Sequence, residues 1–226
     1  MNLTGLLIRL FIPNWQHTED PSVREQYGKV AGATGVVTNL LLAIMKLITG
    51  LLFSSIAIMA DAVNNFSDSG SSLVTLIGFK LSGTPADAKH PFGHARIEYI
   101  SGMIVSFIVV MLGFQLAQSS VEKIITPENS AFTWVTVLIL VISIAAKLWQ
   151  GFFYRKMGKA ISSTTLKATS ADSLNDVLAT SVVLIGILIT LFTDFNLDGW
   201  MGLAVALFIM VSGVRLVIET SQPLLG

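Results

Sequence analysis

Residues 168–189 read ATSADSLNDVLATSVVLIGILI, and this stretch decides how the chain has to fold. Its second half is an uninterrupted apolar run, which is typical of a membrane-spanning helix. Its first half places Asp172 and Asp176 four residues apart, so both carboxylates lie on one helix face. An ionised carboxylate in the hydrocarbon region costs about 3 kcal/mol or more. The stretch therefore predicts a bundle interior that supplies partners for these two side chains.

The composition indicates that the chain contains further membrane-spanning helices. Of the 226 residues, 53% are hydrophobic and 12% are charged, whereas an average soluble domain has about 25% charged residues. Apolar runs long enough to cross a bilayer lie at 30–53, 56–81, 97–121, 132–154, 166–192 and 200–218. We therefore predict an all-α membrane protein that is a bundle of six transmembrane helices. The net charge of zero gives no indication of nucleic-acid binding, and the absence of cysteine excludes thiolate metal sites.

The positive charges indicate how the bundle is oriented. Eleven of the 14 Lys and Arg residues fall on one side of the predicted spans, and only Lys123 falls on the other. Because cytoplasmic loops carry the excess of positive charge, we expect the N-terminus, the C-terminus and the loop at 82–96 to face the cytoplasm. The eleven are Arg9, Arg24, Lys29, Lys80, Lys89, Arg96, Arg155, Lys156, Lys159, Lys167 and Arg215.

The first 28 residues form a cytoplasmic or interfacial segment, and residues 29–219 form the transmembrane domain. Residues 6–12 are consistent with a short amphipathic helix at the membrane surface, the alternative being a disordered tail. The polar residues 16–25 predict a loop.

A second polar pair precedes the first in the chain. In the second span Asn64 and Asp68 share a helix face, and Asp61 lies on nearly the same face seven residues before Asp68. If this face packs against Asp172 and Asp176, one amide and three carboxylates converge in an all-oxygen pocket. A hard or borderline divalent cation prefers such ligands. Three carboxylates at close range cannot all stay ionised without a cation, so such a site exchanges protons for metal.

The alternative for these residues is hydrogen bonding between helices. That role suits a lone Asn64, but two matched pairs with three acidic members favour a metal site. Asp61 is a candidate accessory residue, and its role stays open between helix entry, support of the site and ion or proton entry.

The loop before the third span holds a second candidate metal site. Asp87, His90 and His94 could provide three ligands to a transition metal. The alternative is a turn formed by Pro91 and Gly93 in which both histidines are hydrogen-bonded. Spacing alone does not decide between them.

Two lysines lie inside apolar spans. Lys46 and Lys147 could extend to the membrane interface or pair with a carboxylate inside the bundle. Because Lys147 lies about two turns before Arg155, we expect it to reach the interface. The role of Lys46 is left open.

Four motifs resemble one known family, the cation diffusion facilitators. They are NLLLAIMKLITG at 39–50, AIMADAVNNFSD at 57–68, HPFGHARIE at 90–98 and ADSLND at 171–176. The resemblance covers nearly the whole chain. It implies a secondary transporter, not an enzyme, with six helices and cytoplasmic termini, usually a homodimer, that exports a divalent metal in exchange for protons.

By matching positions, the resemblance also assigns residues. It implies a transport site formed by Asn64, Asp68, Asp172 and Asp176. It further implies that the loop residues match a zinc site found in some members; these are Asp87, His90 and His94.

One departure from the zinc-type members concerns the metal. They typically have histidine or aspartate where this chain has Asn64, and histidine where it has Asp172, so here no imidazole reaches the transport site. Oxygen ligands favour Mn2+, with Fe2+ or Mg2+ also suitable, whereas Zn2+ prefers nitrogen and sulfur. We therefore expect a Mn2+/H+ antiporter similar to the manganese-type branch. The alternatives are a Zn2+ or Fe2+ exporter of the same family, and a passive metal channel or membrane subunit.

The other departure concerns the end of the chain. Family members usually continue into a soluble cytoplasmic domain, so we expect residues 220–226 to be a truncated end that lacks it. A homodimer would then be weakened. We expect the chain in a bacterial cytoplasmic (inner) membrane, with the lipid bilayer, divalent metal ions and protons as its partners.

Overall fold

The computed structural model describes residues 3–81, 95–126, 132–193 and 196–225. Every regular element within these ranges is an α-helix. The helices are α1 Leu3–Phe11, α2 Pro21–Leu52, α3 Ile56–Leu81, α4 Ala95–Ile125, α5 Trp134–Ala160, α6 Thr164–Phe192 and α7 Asp198–Leu225.

The beginning of α2 differs from the prediction of a loop over 16–25. The backbone N–H of Ser22 donates to Asp20 Oδ1 at 2.8 Å, and Pro21 occupies the first helical turn. Proline is well suited to this position because its missing N–H would have no helical partner there. The same hydrogen bond lowers the pKa of the Asp20 carboxyl. The predicted amphipathic segment at 6–12 is helical up to Phe11, and Ile8 of α1 packs with Ile12, which follows the helix, against α2 and α5.

Five of the described helices are long and apolar enough to cross a membrane: α2, α4, α5, α6 and α7. Their exposed faces carry large apolar side chains such as Leu41, Phe152 and Ile185. These helices indicate an integral membrane protein. The remaining predicted span, the second one at 56–81, corresponds to α3, which is 26 residues long but carries the polar side chains at 61–68. Six crossings and cytoplasmic termini therefore stay predictions.

The helices pack in pairs around two separate apolar clusters. α2 lies along α3, α4 along α7 and α5 along α6. The first cluster contains residues of the five helices α3, α4, α5, α6 and α7, among them Ile58, Leu140 and Val183. The second joins α1, α2, α5 and α6 and includes Tyr27 and Phe153. On α5, Leu140 belongs to the first cluster and Phe153 to the second, and the middle of the helix lies between them. The polar faces of α3, α5 and α6 meet at this level.

Close contact between α2 and α3 depends on a glycine. A Cβ on Gly32 would lie 2.7 Å from Leu76 Cβ and 2.8 Å from its Cα. Since the Cα cannot turn away, the two helix backbones would have to separate.

Gly32→Ala should therefore lower the free energy of unfolding by about 1–3 kcal/mol, the usual cost of overpacking. Reversible unfolding in mixed detergent micelles measures this change. Gly5→Ala is the matched control, because the nearest atom to its added Cβ is Lys156 Nζ at 3.9 Å. An equal response of both variants would show that the close α2–α3 contact is not required.

Candidate metal site

Charged side chains from α3, α5 and α6 meet midway between the two apolar clusters. Lys147 Nζ lies 2.6 Å from Asp68 Oδ2 and 2.7 Å from Asp176 Oδ2. Asn64 Nδ2 donates to the other oxygen of Asp176 at 2.8 Å. Lys147 is 1% exposed and Asp176 is 3% exposed. The two aspartates thus share one buried ammonium, and Asp176 has a donor on each oxygen.

The third aspartate completes a cluster of carboxylates. Asp68, Asp172 and Asp176 each place one oxygen within 4.8 Å of the other two. A divalent cation holds its oxygen ligands at about 2.1–2.6 Å, so opposite ligands lie about 4.2–5.2 Å apart. The separation therefore suits three ligands of one ion. The packing of α3 against α6 thus brings together three of the residues that share faces through the i, i+4 spacing, and metal binding by them stays a prediction.

An open cavity gives access to this cluster. It has a volume of about 450 Å³ and is lined by α3, α6 and α7. Asp172 is exposed to it, while Asp68 and Asp176 form its deeper wall. Ala168 and Arg215 also line the cavity, near the start of α6 and toward the end of α7. The cavity therefore opens toward the end of the bundle that we predict to be cytoplasmic.

The prediction that Lys147 reaches the membrane interface is wrong. Lys147 lies thirteen residues from either end of α5, which is about 20 Å along the helix. That distance exceeds the reach of a four-carbon side chain. Its central position in the helix, rather than its spacing from Arg155, was the signal for a buried partner.

Lys46 has a partner of its own. Its Nζ lies 2.8 Å from Asp61 Oδ2 and 3.3 Å from the hydroxyl of Thr180, which donates to Asp61 Oδ1 at 3.1 Å. All three side chains are buried. Asp61 therefore forms an ion pair with Lys46 of α2 and does not belong to the carboxylate cluster of α3 and α6. Thr180 follows Asp176 by one helical turn, so the two polar groups lie at successive levels of the bundle.

A third buried ion pair at the other end of the bundle escaped sequence analysis. Asp198 is 0% exposed and lies 2.8 Å from Lys123 Nζ. Its carboxylate also accepts from Ser55 Oγ at 2.5 Å and from the backbone N–H of Ile56 at 2.9 Å. A residue of α7 thus caps the beginning of α3. No local pattern shows such a cap, because its two parts are more than 140 residues apart.

The loop site predicted at Asp87, His90 and His94 lies outside the described residues. Its assignment stays a prediction.

Comparison with known proteins identifies the chain. Residues 33–225 match the family described as the cation efflux transmembrane domain. The chain belongs to the cation efflux family. The match extends from α2 to α7 and contains every residue of the carboxylate cluster. Members of this family are transporters, not enzymes, which agrees with the class expected from the four motifs.

Individual relatives of this cation efflux domain include an uncharacterized transporter of Methanocaldococcus jannaschii. The two are 30% identical over 174 residues, which are 77% of this chain and 62% of the relative. Manganese efflux system protein MneS of Bacillus subtilis is 29% identical over 197 residues, 87% of this chain and 68% of that protein. Manganese efflux system protein MneP of the same organism is 29% identical over 183 residues, 79% of this chain and 59% of that protein. The cation efflux domain thus spans roughly 60–70% of the length of these relatives.

Because the cation efflux domain has no cysteine, single cysteines can test where the cavity opens. Ser212→Cys, on the cavity wall, should react with a membrane-impermeant maleimide added from the cytoplasmic side, and Mn2+ should slow the reaction. Ser143→Cys is the control, because position 143 is fully buried. Labelling of the Ser212→Cys variant only from the opposite side would contradict the predicted orientation. Mass spectrometry of intact protein measures the labelled fraction.

Proposed function

We propose that this chain is the transport domain of an exporter that moves Mn2+ out of the cytoplasm in exchange for protons. Asp68, Asp172 and Asp176 bind the metal through carboxylate oxygens, and Asn64 adds a neutral amide oxygen. The observation that carries the proposal is the close approach of three carboxylates at the end of an open cavity. Membership of the cation efflux family supplies the direction of transport.

The choice of Mn2+ is supported by the chemistry of the ligands. The cluster contains oxygen donors and no imidazole among the described residues. Oxygen-only sites suit Mn2+, and they also accept Fe2+, whereas Zn2+ prefers nitrogen and sulfur. Two relatives are manganese efflux system proteins by name, which points in the same direction.

Exchange with protons follows from the position of the carboxylates. They lie in a part of the bundle with few alternative countercharges, so when the metal leaves, protons must replace much of its charge. Protons and metal then compete for the same oxygens.

Alternating access is supported by the asymmetry of the bundle. The cavity reaches the cluster from one end, whereas the first apolar cluster fills the space between the helices at the other end. Transport therefore requires the helices to repack so that the site opens on the opposite side. This scheme needs α3 to cross the bilayer as a sixth span. We place the protein in the bacterial cytoplasmic membrane as a homodimer.

The carboxylates can be tested directly in proteoliposomes. Asp68→Ala and Asp172→Ala should each reduce Mn2+-driven proton flux to near the background of empty vesicles, because each removes a metal ligand. Glu25→Ala should keep wild-type flux, since Glu25 lies in a surface ion pair with Lys29. A pH-sensitive dye inside the vesicles measures the flux.

Undiminished flux in both aspartate variants would contradict the site. Metal flux that ignores an imposed proton gradient would favour the passive channel.

Metal selectivity tests the role of the ligand types. Asn64→His introduces an imidazole and should raise the transport of Zn2+ relative to Mn2+ about tenfold or more, as the softer ligand favours Zn2+. Competition among Mn2+, Fe2+ and Zn2+ in the same vesicles gives the ratio. If the unmodified chain already prefers Zn2+, the proposed manganese specificity is wrong.

A further inference from the structure

Lys147 stands at the centre of the candidate metal site, yet metal and proton exchange gives it no role. We propose that the Lys147 ammonium is a resident cation that competes with the transported metal for Asp68 and Asp176, and that metal binding displaces it. This inference rests on the proposed function, because it concerns the same carboxylates. It makes Lys147 a residue that sets the affinity of the site.

The first step of the argument is the occupancy of the carboxylate oxygens. Asp176 Oδ2 and Asp68 Oδ2 both contact Lys147 Nζ, at 2.7 and 2.6 Å. Asp176 Oδ1 accepts from the amide nitrogen of Asn64. Each oxygen of Asp176 thus already accepts a hydrogen bond, so a metal that binds Asp176 competes with these two donors.

The two donors differ in what moving them requires. A half-turn of the Asn64 amide exchanges its nitrogen for its oxygen, which turns a competing donor into a ligand. An ammonium has no acceptor to offer. A cation that binds between Asp68 and Asp176 therefore has to take the place of Lys147 Nζ.

The second step is the charge of the site. With three ionised aspartates and one ammonium, the formal charge is −2, which equals and opposes that of a divalent cation. Lys147 can thus move aside and remain charged while the site as a whole is neutral. A fixed ion pair with a single aspartate, such as Lys46 with Asp61, has no such surplus of negative charge.

The third step is the place available to the displaced ammonium. Ser143 and Gln150 lie one turn before and one turn after Lys147 on the same face of α5. Both are 0% exposed. Within the described residues, Ser143 Oγ and Gln150 Oε1 have no hydrogen-bond partner. Buried oxygens without donors are rare in folded proteins, and these two would accept from a lysine that has left the aspartates.

Binding of Mn2+ to the purified full chain, measured by calorimetry, tests the proposal through two opposite substitutions. Lys147→Gln removes the competing charge, so the dissociation constant should fall about tenfold or more. Lys147→Arg strengthens the competitor, because guanidinium bonds two carboxylates in a fixed geometry. The dissociation constant should then rise about tenfold.

Lys46→Gln is the matched control, since it also removes a buried lysine from an aspartate. Its dissociation constant should stay within about threefold of wild type. A lysine with a purely structural role would make Lys147→Gln bind Mn2+ equally or more weakly, and this result would overturn the proposal. Should Lys147→Gln fail to fold, wild-type or tighter binding by Lys147→Arg would overturn it instead.

Asp172→Ala separates this inference from the proposed function. If Mn2+ binding survives that substitution, the carboxylate cluster is not the metal site and both proposals fail. If binding is lost in Asp172→Ala but Lys147→Gln does not bind more tightly, only the role of Lys147 is wrong.

Discussion

The ion pair between Lys147 and the two aspartates Asp68 and Asp176 is the interaction on which the rest of the structure depends. It joins α5 to α3 and α6 at a depth where unpaired charge is costly. Leaving either carboxylate without a cation would destabilise the bundle by several kcal/mol. A positive charge between the helices, whether it is the ammonium or a metal ion, therefore stabilises their contact here.

Among the described residues, three buried lysines lie beside aspartates at successive levels of the bundle. Lys123 with Asp198 fixes the beginning of α3 to α7, and Lys46 with Asp61 joins α2 to α3. Of the three levels, that of Lys147 has more carboxylates than lysines and borders the cavity around Asp172. The excess of negative charge is what turns a structural pair into a site that can accept a dication.

The helices and the cluster were predictable from the sequence because their signals are local. Long apolar runs define the spans, and the i, i+4 spacing places two oxygen ligands on one face of α3 and two on one face of α6. The predicted second span, 56–81, has the same bounds as α3. The beginning of α2 at Pro21 was missed although its signal is also local, because the polarity of residues 16–25 favoured a loop while Asp20 caps the helix and Pro21 occupies its first turn.

The partners of the lysines were not predictable in the same way. The positions of Lys46, Lys123 and Lys147 in the chain say nothing about which aspartate lies across the bundle. Each pair depends on the order in which the helices pack, and the cap of α3 by Asp198 depends on the approach of α7. Long-range contacts of this kind follow from the assembled bundle.

The central claim is that a divalent metal binds to the carboxylates of α3 and α6. Mn K-edge X-ray absorption on the metal-loaded chain tests this most directly, because it distinguishes oxygen ligands from imidazole. The account predicts a first shell of oxygen at about 2.1–2.2 Å, without imidazole scattering, that disappears in Asp172→Ala. A spectrum with imidazole scattering that survives this substitution would place the metal on histidine and contradict the account.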